Sequence, residues 1–93
     1  MKISYSIESI NDLKRLREFI EEKNPPAAQR IATSIKKGIN QLKSFPYLGV
    51  KVEQAPDPET VRDLIHGNYT VRYLLLSNEI NILRIWHHKE NRL

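Results

Sequence analysis

The fold is decided by Val61-Arg-Asp-Leu-Ile-His66, Tyr69-Thr-Val-Arg-Tyr-Leu-Leu-Leu76 and Ile80-Asn-Ile-Leu-Arg-Ile-Trp-His-His-Lys89. These three runs are rich in β-branched and aromatic residues, which favour strands. Gly67-Asn68 and Ser77-Asn78-Glu79 separate them, and such residues favour tight turns. The stretch therefore predicts an antiparallel β-meander, and the rest of the chain must cover one face of that sheet.

The N-terminal segment predicts a short strand followed by a helix. Residues 2–8 alternate polar and apolar side chains, which puts Ile3, Tyr5 and Ile7 on one face of a half-buried strand. Ser9 and Asp12 have the spacing of a capping box with the acid varied. The apolar residues that follow recur at helical spacing, and the helix is expected to end at about residue 24. They are Ile10, Leu13, Leu16, Phe19 and Ile20.

A second helix begins after Pro25-Pro26, because proline disfavours helix at the residue before it yet suits the first turn of a new helix. Phe45-Pro46 ends this helix for the same reason. Residues 49–53 predict a short edge strand, and residues 55–58 an exposed loop. The second helix has the clearest periodicity in the chain, formed by Ala28, Ile31, Ala32, Ile35, Ile39 and Leu42.

These elements predict an α+β fold of two layers in the order β-α-α-β-β-β, with a further short strand if residues 49–53 pair. A helical hairpin packs on one face of a mainly antiparallel sheet. The 93 residues fit a single domain covering residues 1–93. No cysteine is present, so neither a disulfide framework nor a thiolate metal site holds the fold.

Composition narrows the class of partner. Lys and Arg outnumber Asp and Glu by 15 to 11, which gives a formal charge of +4. This balance suits nucleic acid or an acidic protein segment, and it equally suits simple solubility. The N-terminal residues lack the apolar region of a signal peptide, and no apolar run is long enough to span a membrane. We therefore expect a cytoplasmic protein without a membrane partner.

Strand alternation sorts the side chains of the meander between two faces. One face of the strand from Tyr69 carries Val71, Tyr73 and Leu75, and this face is expected to lie against the helices. One face of the last strand carries Leu83, Ile85 and His87, and the same is expected of it. Arg72, Arg84 and Trp86 are then expected on the open face, joined by Arg62 if its strand keeps register. Arginines near a tryptophan can grip phosphate and stack on a base; the alternative is that they are solvated charges with Trp86 at the edge of the core.

His87 and His88 are the other candidates for chemistry. Adjacent strand residues point to opposite faces, so the two imidazoles are not expected to share a metal ion, and no cofactor motif is present. One histidine is expected to be structural, while the other is available as an acid or base. Asp12, Glu18, Glu21 and Glu22 are expected on a solvated face of the first helix. The absence of phosphate-binding, esterase and metalloprotease motifs excludes many enzyme classes, but not a ribonuclease that uses basic side chains.

The chain resembles the ParE/RelE toxins of bacterial type II toxin-antitoxin modules. The resemblance rests on Leu42-Lys-Ser-Phe-Pro46-Tyr-Leu-Gly49, Val61-Arg-Asp-Leu64, Tyr69-Thr-Val-Arg-Tyr73 and Ile82-Leu-Arg-Ile-Trp-His87, together with Asp12-Leu13, Ala28 and Ile35 in the helices. The last of these stretches is similar to the ParE branch, whose members are often called plasmid stabilisation proteins. This resemblance implies a RelE/ParE-like fold.

Resemblance to ParE implies a toxin that inhibits DNA gyrase by binding, needs no catalytic residue and is neutralised by a cognate antitoxin. The antitoxin would bind through an acidic or amphipathic C-terminal segment. The residues expected to bind a partner or nucleic acid are Arg62, Arg72, Arg84, Trp86, His88 and Lys89.

Resemblance to RelE implies instead a ribosome-dependent mRNA endonuclease. In that case Arg62, Arg84, His87 and His88 are the expected catalytic residues, although RelE-type toxins rely on a C-terminal tyrosine or histidine and this chain has no tyrosine after Tyr73. A third alternative is a non-toxic member that only binds a partner.

Overall fold

The computed structural model describes residues 1–90 and contains two α-helices and five strands. A 3-10 turn, Gln41–Lys43, follows the second helix. The elements are β1 (Lys2–Tyr5), α1 (Ile7–Lys23), α2 (Pro25–Asn40), β2 (Val50–Lys51), β3 (Val61–His66), β4 (Tyr69–Leu75) and β5 (Glu79–His87). The predicted order of elements is confirmed, and the short strand within residues 49–53 is present as β2.

The strands form one sheet in the order β1-β5-β4-β3-β2. β2, β3, β4 and β5 pair antiparallel with their neighbours, whereas β1 pairs parallel with β5. Gly67 has a φ of 60° in the turn between β3 and β4, a conformation that glycine adopts without a steric penalty. The predicted two-layer α+β architecture is therefore confirmed, with a mixed sheet.

Both helices pack on one face of the sheet, and the core lies between the layers. Val71, Tyr73 and Leu75 face the helices as predicted, with exposed fractions of 0%, 0% and 8%. The other buried apolar members of the core cluster are Leu16, Ile35, Ile39, Leu42, Leu64, Ile80, Ile82 and Ile85.

A β-bulge in β5 changes which side chains of that strand are buried. Arg72 opposes Arg84 but the next residue, Tyr73, opposes Ile82, so Leu83 is the extra residue. Ile82 and Ile85 are both fully buried, whereas Leu83 is only partly buried. The prediction that Leu83 belongs to the core face was wrong, because strict alternation along a strand does not allow for an inserted residue.

The start of α1 also differs from the prediction. Strand β1 ends at Tyr5, and Ile7 is the first residue of α1 with 75% of its surface exposed. Ser6 caps the helix by accepting a hydrogen bond from the Ser9 N–H at 3.0 Å. The predicted capping box at Ser9 was therefore wrong, and Ile7 does not belong to the strand face.

Asn24 ends one helix and begins the next. Its own N–H donates to the Ile20 carbonyl at 2.7 Å, while its side chain accepts from the Ala27 N–H at 3.3 Å. Pro25 and Pro26 occupy the first turn of α2, where the missing N–H groups cost nothing. Asn24 thus belongs to both helix ends, and the predicted helical hairpin is confirmed.

Candidate binding surfaces

The open face of the sheet carries an arginine stacked on a tryptophan. Arg72 donates two hydrogen bonds to the Asp63 carboxylate, from Nε at 2.8 Å and from Nη2 at 3.0 Å. Its guanidinium carbon lies 5.1 Å from the centroid of the Trp86 ring, which is the geometry of a cation–π contact. The hydrogen bonds to Asp63 raise the pKa of Arg72. Arg72 and Trp86 therefore lie together as predicted, but the charge of Arg72 is compensated by Asp63.

Arg84 is also compensated, by an acid that the sequence did not identify as its partner. Its Nε and Nη2 lie 2.8 Å and 3.0 Å from the two oxygens of Asp12, on α1. Asp12 is only 1% exposed, and it also accepts from the Ile85 N–H at 2.8 Å. Arg15 adds a further contact to Asp12. The prediction of a solvated Asp12 was wrong, because β1 ends before Ile85 and α1 covers this edge of β5.

The pKa of Asp12 reflects this arrangement. Burial alone would raise the pKa of the carboxyl, but the hydrogen bonds from Arg84, the Ile85 N–H and Arg15 outweigh burial and lower the pKa to about 2. Asp12 is thus an anion at neutral pH that joins α1 to β5. Its role in this arrangement is structural.

Arg62 lies on the helix-facing side of the sheet rather than on the open face. It opposes Tyr73 across β3 and β4, and directly paired residues share a face. Only 7% of Arg62 is exposed, and its guanidinium donates to the carbonyls of Gly49 at 3.0 Å and Glu59 at 3.1 Å. The expectation that Arg62 joins the open-face arginines was therefore wrong.

The two adjacent histidines lie on opposite faces, as alternation predicts. His87 packs edge-on against Tyr69, with ring centroids 5.0 Å apart. The His88 Nε2 lies 2.9 Å from the Thr70 hydroxyl. Lys89 is exposed, and its N–H donates to the His87 Nδ1 at 3.0 Å. Within residues 1–90, no group of three acidic or histidine side chains is placed to hold a metal ion.

A groove that the sequence did not reveal opens between α1 and the end of β5. Its volume is about 620 Å³. Phe19, on α1, lies in it with 58% of its surface exposed. The only sequence signal was that Phe19 widens the apolar stripe of α1. The groove is lined by Arg15, Leu16, Phe19, Ile20, Lys23, Tyr69, His87, Lys89 and Glu90.

His66 is a third histidine, which the sequence did not single out. Its Nε2 lies 2.8 Å from the Ser34 hydroxyl on α2. A Cβ at Gly38 would lie 2.8 Å from the His66 Nδ1, so glycine is what lets the helix approach this ring. His66 therefore belongs to the contact between α2 and β3.

Comparison with known proteins identifies the family to which this architecture belongs. The family described as "ParE toxin of type II toxin-antitoxin system, parDE" matches residues 3–92. The chain belongs to this toxin family. It is therefore a toxin of the ParE/RelE superfamily, and membership of a toxin-antitoxin family implies an antitoxin partner.

Two relatives of this ParE-family chain come from Caulobacter vibrioides. Toxin RelE1 is 29% identical over 91 residues, which cover 94% of this chain and 92% of that protein. Toxin RelE2 is 29% identical over 87 residues, which cover 92% and 93% respectively.

Two solved structures share the fold. The chromosomal ParDE toxin-antitoxin system from P. aeruginosa aligns with a TM-score of 0.79 at 20% identity, covering 94% of this chain and 95% of the other. The solution structure of HP0894 from Helicobacter pylori aligns with a TM-score of 0.59 at 15% identity, covering 97% of both chains. Neither helix of this ParE-family chain, within residues 1–90, is long and apolar enough to cross a membrane.

Proposed function

We propose that this toxin acts by binding and inhibiting DNA gyrase rather than by cleaving RNA. The observation that carries the proposal is the engagement of the two arginines that a ribonuclease would need. Arg84 is paired through two hydrogen bonds with the buried Asp12, and Arg62 is buried with its guanidinium on backbone carbonyls. A cation that stabilises a phosphoryl-transfer transition state has to be aimed at the substrate. Both arginines are instead directed at groups within the fold.

The groove beside Phe19 supports the proposal that an antitoxin segment binds the toxin there. Leu16, Phe19, Ile20 and Tyr69 give it an apolar lining, and Lys23 and Lys89 are cations beside it, while Arg15 is bonded to Asp12 and Glu90 within the fold. An amphipathic helix with an acidic face fits such a surface, since it buries its apolar stripe and pairs its acids with the two lysines.

The toxin is proposed to act in the cytoplasm as one domain of residues 1–93, and to serve plasmid stabilisation.

A supercoiling assay with purified toxin and gyrase tests the proposed target. We expect loss of supercoiling and accumulation of cleaved DNA bound to gyrase, both reversed when purified antitoxin is added. Full gyrase activity at a large toxin excess would overturn the proposal.

A second candidate function is ribosome-dependent cleavage of mRNA, which the names of the two Caulobacter relatives favour. His88 is the residue that tests it best, because it is exposed and contacts the Thr70 hydroxyl. Replacing Arg62 or Arg84 would disturb the fold, so loss of activity in those variants would not identify a catalytic role. If the toxin is a ribonuclease that uses His88, H88A should abolish mRNA cleavage in a translating extract, while the variant stays folded and loses only the stability of its hydrogen bond to Thr70, about 1 kcal/mol.

A further inference from the structure

The chain between α2 and β2 exposes a cluster of large apolar side chains, which we call the apolar turn (residues 45–50). The Leu48 N–H donates to the Phe45 carbonyl at 3.1 Å and closes a β-turn with Pro46 at its second position, where the fixed φ of proline is favourable. Phe45, Tyr47 and Leu48 are 64%, 66% and 48% exposed, and Val50 is 60% exposed. Four of these six residues therefore present an apolar side chain to solvent.

Tyr73 holds the backbone of the apolar turn from the core. It is fully buried, its hydroxyl donates to the Pro46 carbonyl at 2.7 Å, and the same oxygen accepts from the Gly49 N–H at 2.9 Å. Both ends of the turn are thus bonded to one rigid core side chain.

Arg62 holds the same segment from a second direction. Its Nη1 donates to the Gly49 carbonyl at 3.0 Å and approaches the Tyr47 carbonyl at 3.5 Å, and its guanidinium carbon lies 4.9 Å from the centroid of the Tyr47 ring. A Cβ at Gly49 would lie 2.7 Å from the Tyr73 ring and 3.0 Å from the Asp63 carbonyl carbon. The turn can approach the sheet this closely because residue 49 is glycine.

This combination is unusual for a surface turn. Single exposed apolar residues are common, but a contiguous group of them marks an interaction site. Two buried polar side chains fix the backbone of the turn while most of its apolar side chains stay exposed. A segment held in one conformation loses little entropy when a partner binds it, and aromatic anchors are the residues that contribute most to interfaces.

Shape and charge together indicate the kind of partner. A turn that projects its side chains outward is convex, so it fits a concave surface of a folded protein, whereas the groove beside Phe19 fits a helix or an extended segment. Lys43, Lys51 and Arg62 carry three positive charges at the turn, of which Glu59 compensates one through its contacts with Lys51 and Arg62, so the region stays net positive. We propose that the apolar turn is the surface by which the toxin engages gyrase, entering an apolar pocket with an acidic rim. This inference rests on the proposed function.

The test compares a double variant of the turn with a matched control. Phe45→Ser with Leu48→Ser removes two exposed apolar side chains, and it removes no side-chain hydrogen bond, because neither side chain carries a polar atom. Ile7→Ser removes an apolar side chain that is 75% exposed at the start of α1, away from the turn and the groove. We expect the double variant to need at least about tenfold more protein for half-inhibition of supercoiling, since interface anchors have effects of this size. The control is expected to match the wild type.

Two measurements show that the double variant is folded and otherwise competent. Its thermal midpoint and its affinity for the cognate antitoxin are both expected to match the wild type. Growth arrest on induction without antitoxin is the cellular readout, and the double variant is expected to lose it while Ile7→Ser keeps it.

Each remaining outcome decides the matter. Undiminished inhibition and growth arrest by the double variant would overturn the inference. If the double variant inhibits gyrase normally but no longer binds the antitoxin, the inference is also overturned, and the turn is assigned to antitoxin binding. If the wild type is a dimer and the double variant is a monomer, the inference is overturned as well, and the turn is assigned to self-association. If the wild type arrests growth through the turn but leaves gyrase active, the proposed target is wrong and the turn contacts another protein. If the wild type neither arrests growth nor inhibits gyrase, both the proposed function and the proposed role of the turn are overturned.

Discussion

The arginines of the sheet and the apolar turn (residues 45–50) differ in how the fold uses their side chains. Arg62, Arg72 and Arg84 carry the chemistry that suggests phosphate binding, yet each is bonded within the fold to Glu59, Asp63 or Asp12. Phe45 and Tyr47 carry side chains that usually form a core, yet both are exposed. Residue type alone therefore does not show which surface meets a partner. What matters is whether the chemistry of a side chain is already used within the chain.

The largest effect should follow from breaking the buried contact between Asp12 and β5. Asp12→Ala leaves the Ile85 N–H buried without its acceptor and separates Arg84 from its counter-charge, so we expect a loss of about 3–5 kcal/mol in the free energy of unfolding. Urea denaturation measures it. Glu18→Ala, at an exposed position of the same helix, is the control and should change stability by less than about 0.5 kcal/mol. A loss for Asp12→Ala as small as that of the control would show that Asp12 is not a structural anchor.

The same contact should make stability depend on pH. The pKa of Asp12 is lowered from its usual 3.8 to about 2 in the folded chain, so the unfolded chain binds more protons as the pH falls through this range. Stability is therefore full above about pH 4 and falls toward pH 2, by about 2 kcal/mol for this group. Unfolding curves of the wild type and Asp12→Asn from pH 5 to pH 2 measure it. The wild type should lose its advantage over the variant as the pH falls, and a constant difference would contradict the assignment.

A smaller effect is expected where the core holds the apolar turn. Tyr73→Phe keeps the buried ring but removes the hydroxyl that contacts Pro46 and Gly49, so we expect a loss of about 1–2 kcal/mol. Hydrogen exchange at the Gly49 amide should also become faster, because its acceptor is gone. Tyr47→Phe, at a tyrosine that is 66% exposed, should change neither quantity. Unchanged exchange at Gly49 in Tyr73→Phe would mean that the turn is held by other contacts.

The smallest effect is expected for the ion pair on the open face. Arg72 is 35% exposed and Asp63 is 16% exposed at their side chains, so solvent screens the pair. A double-mutant cycle with Arg72→Gln and Asp63→Asn should give a coupling energy below about 1 kcal/mol. A coupling energy as large as the effect of Asp12→Ala would mean that the Arg72–Asp63 pair is not screened by solvent and stabilises the fold as much as the buried contacts of Asp12.

Local patterns predicted the order of the elements, because each strand and helix carries its own periodicity and its own breakers. The register of β3 was also within reach of the sequence. A two-residue turn at Gly67-Asn68 pairs His66 with Tyr69 and therefore Arg62 with Tyr73, which had been expected to face the helices. That register places Arg62 on the inner face of the sheet.

Other features had no local signal. The bulge at Leu83 depends on how β4 and β5 meet, and the burial of Asp12 depends on a contact with Ile85, 73 residues away in the sequence. The groove beside Phe19 depends on how α1 lies against the start of β4 and the end of β5. These are tertiary effects that no spacing within one segment reveals. Alternation therefore predicted that Arg72 and Trp86 lie together, but it could not show that Asp63 and Asp12 bond to Arg72 and Arg84.

The parallel pairing of β1 with β5 has a consequence for how the toxin forms. Lys2 pairs with Glu79 and Tyr5 with Ile82, so β1 gains its place in the sheet only after β5 has been synthesised and has left the ribosome. Contacts that join residues so distant in sequence also slow folding, because the entropy of closing the long loop between them is lost before the contacts form. An incomplete chain therefore lacks both the strand that β1 pairs with and the backbone N–H that Asp12 accepts from, so the sheet and its buried anchor form only once β5 is available.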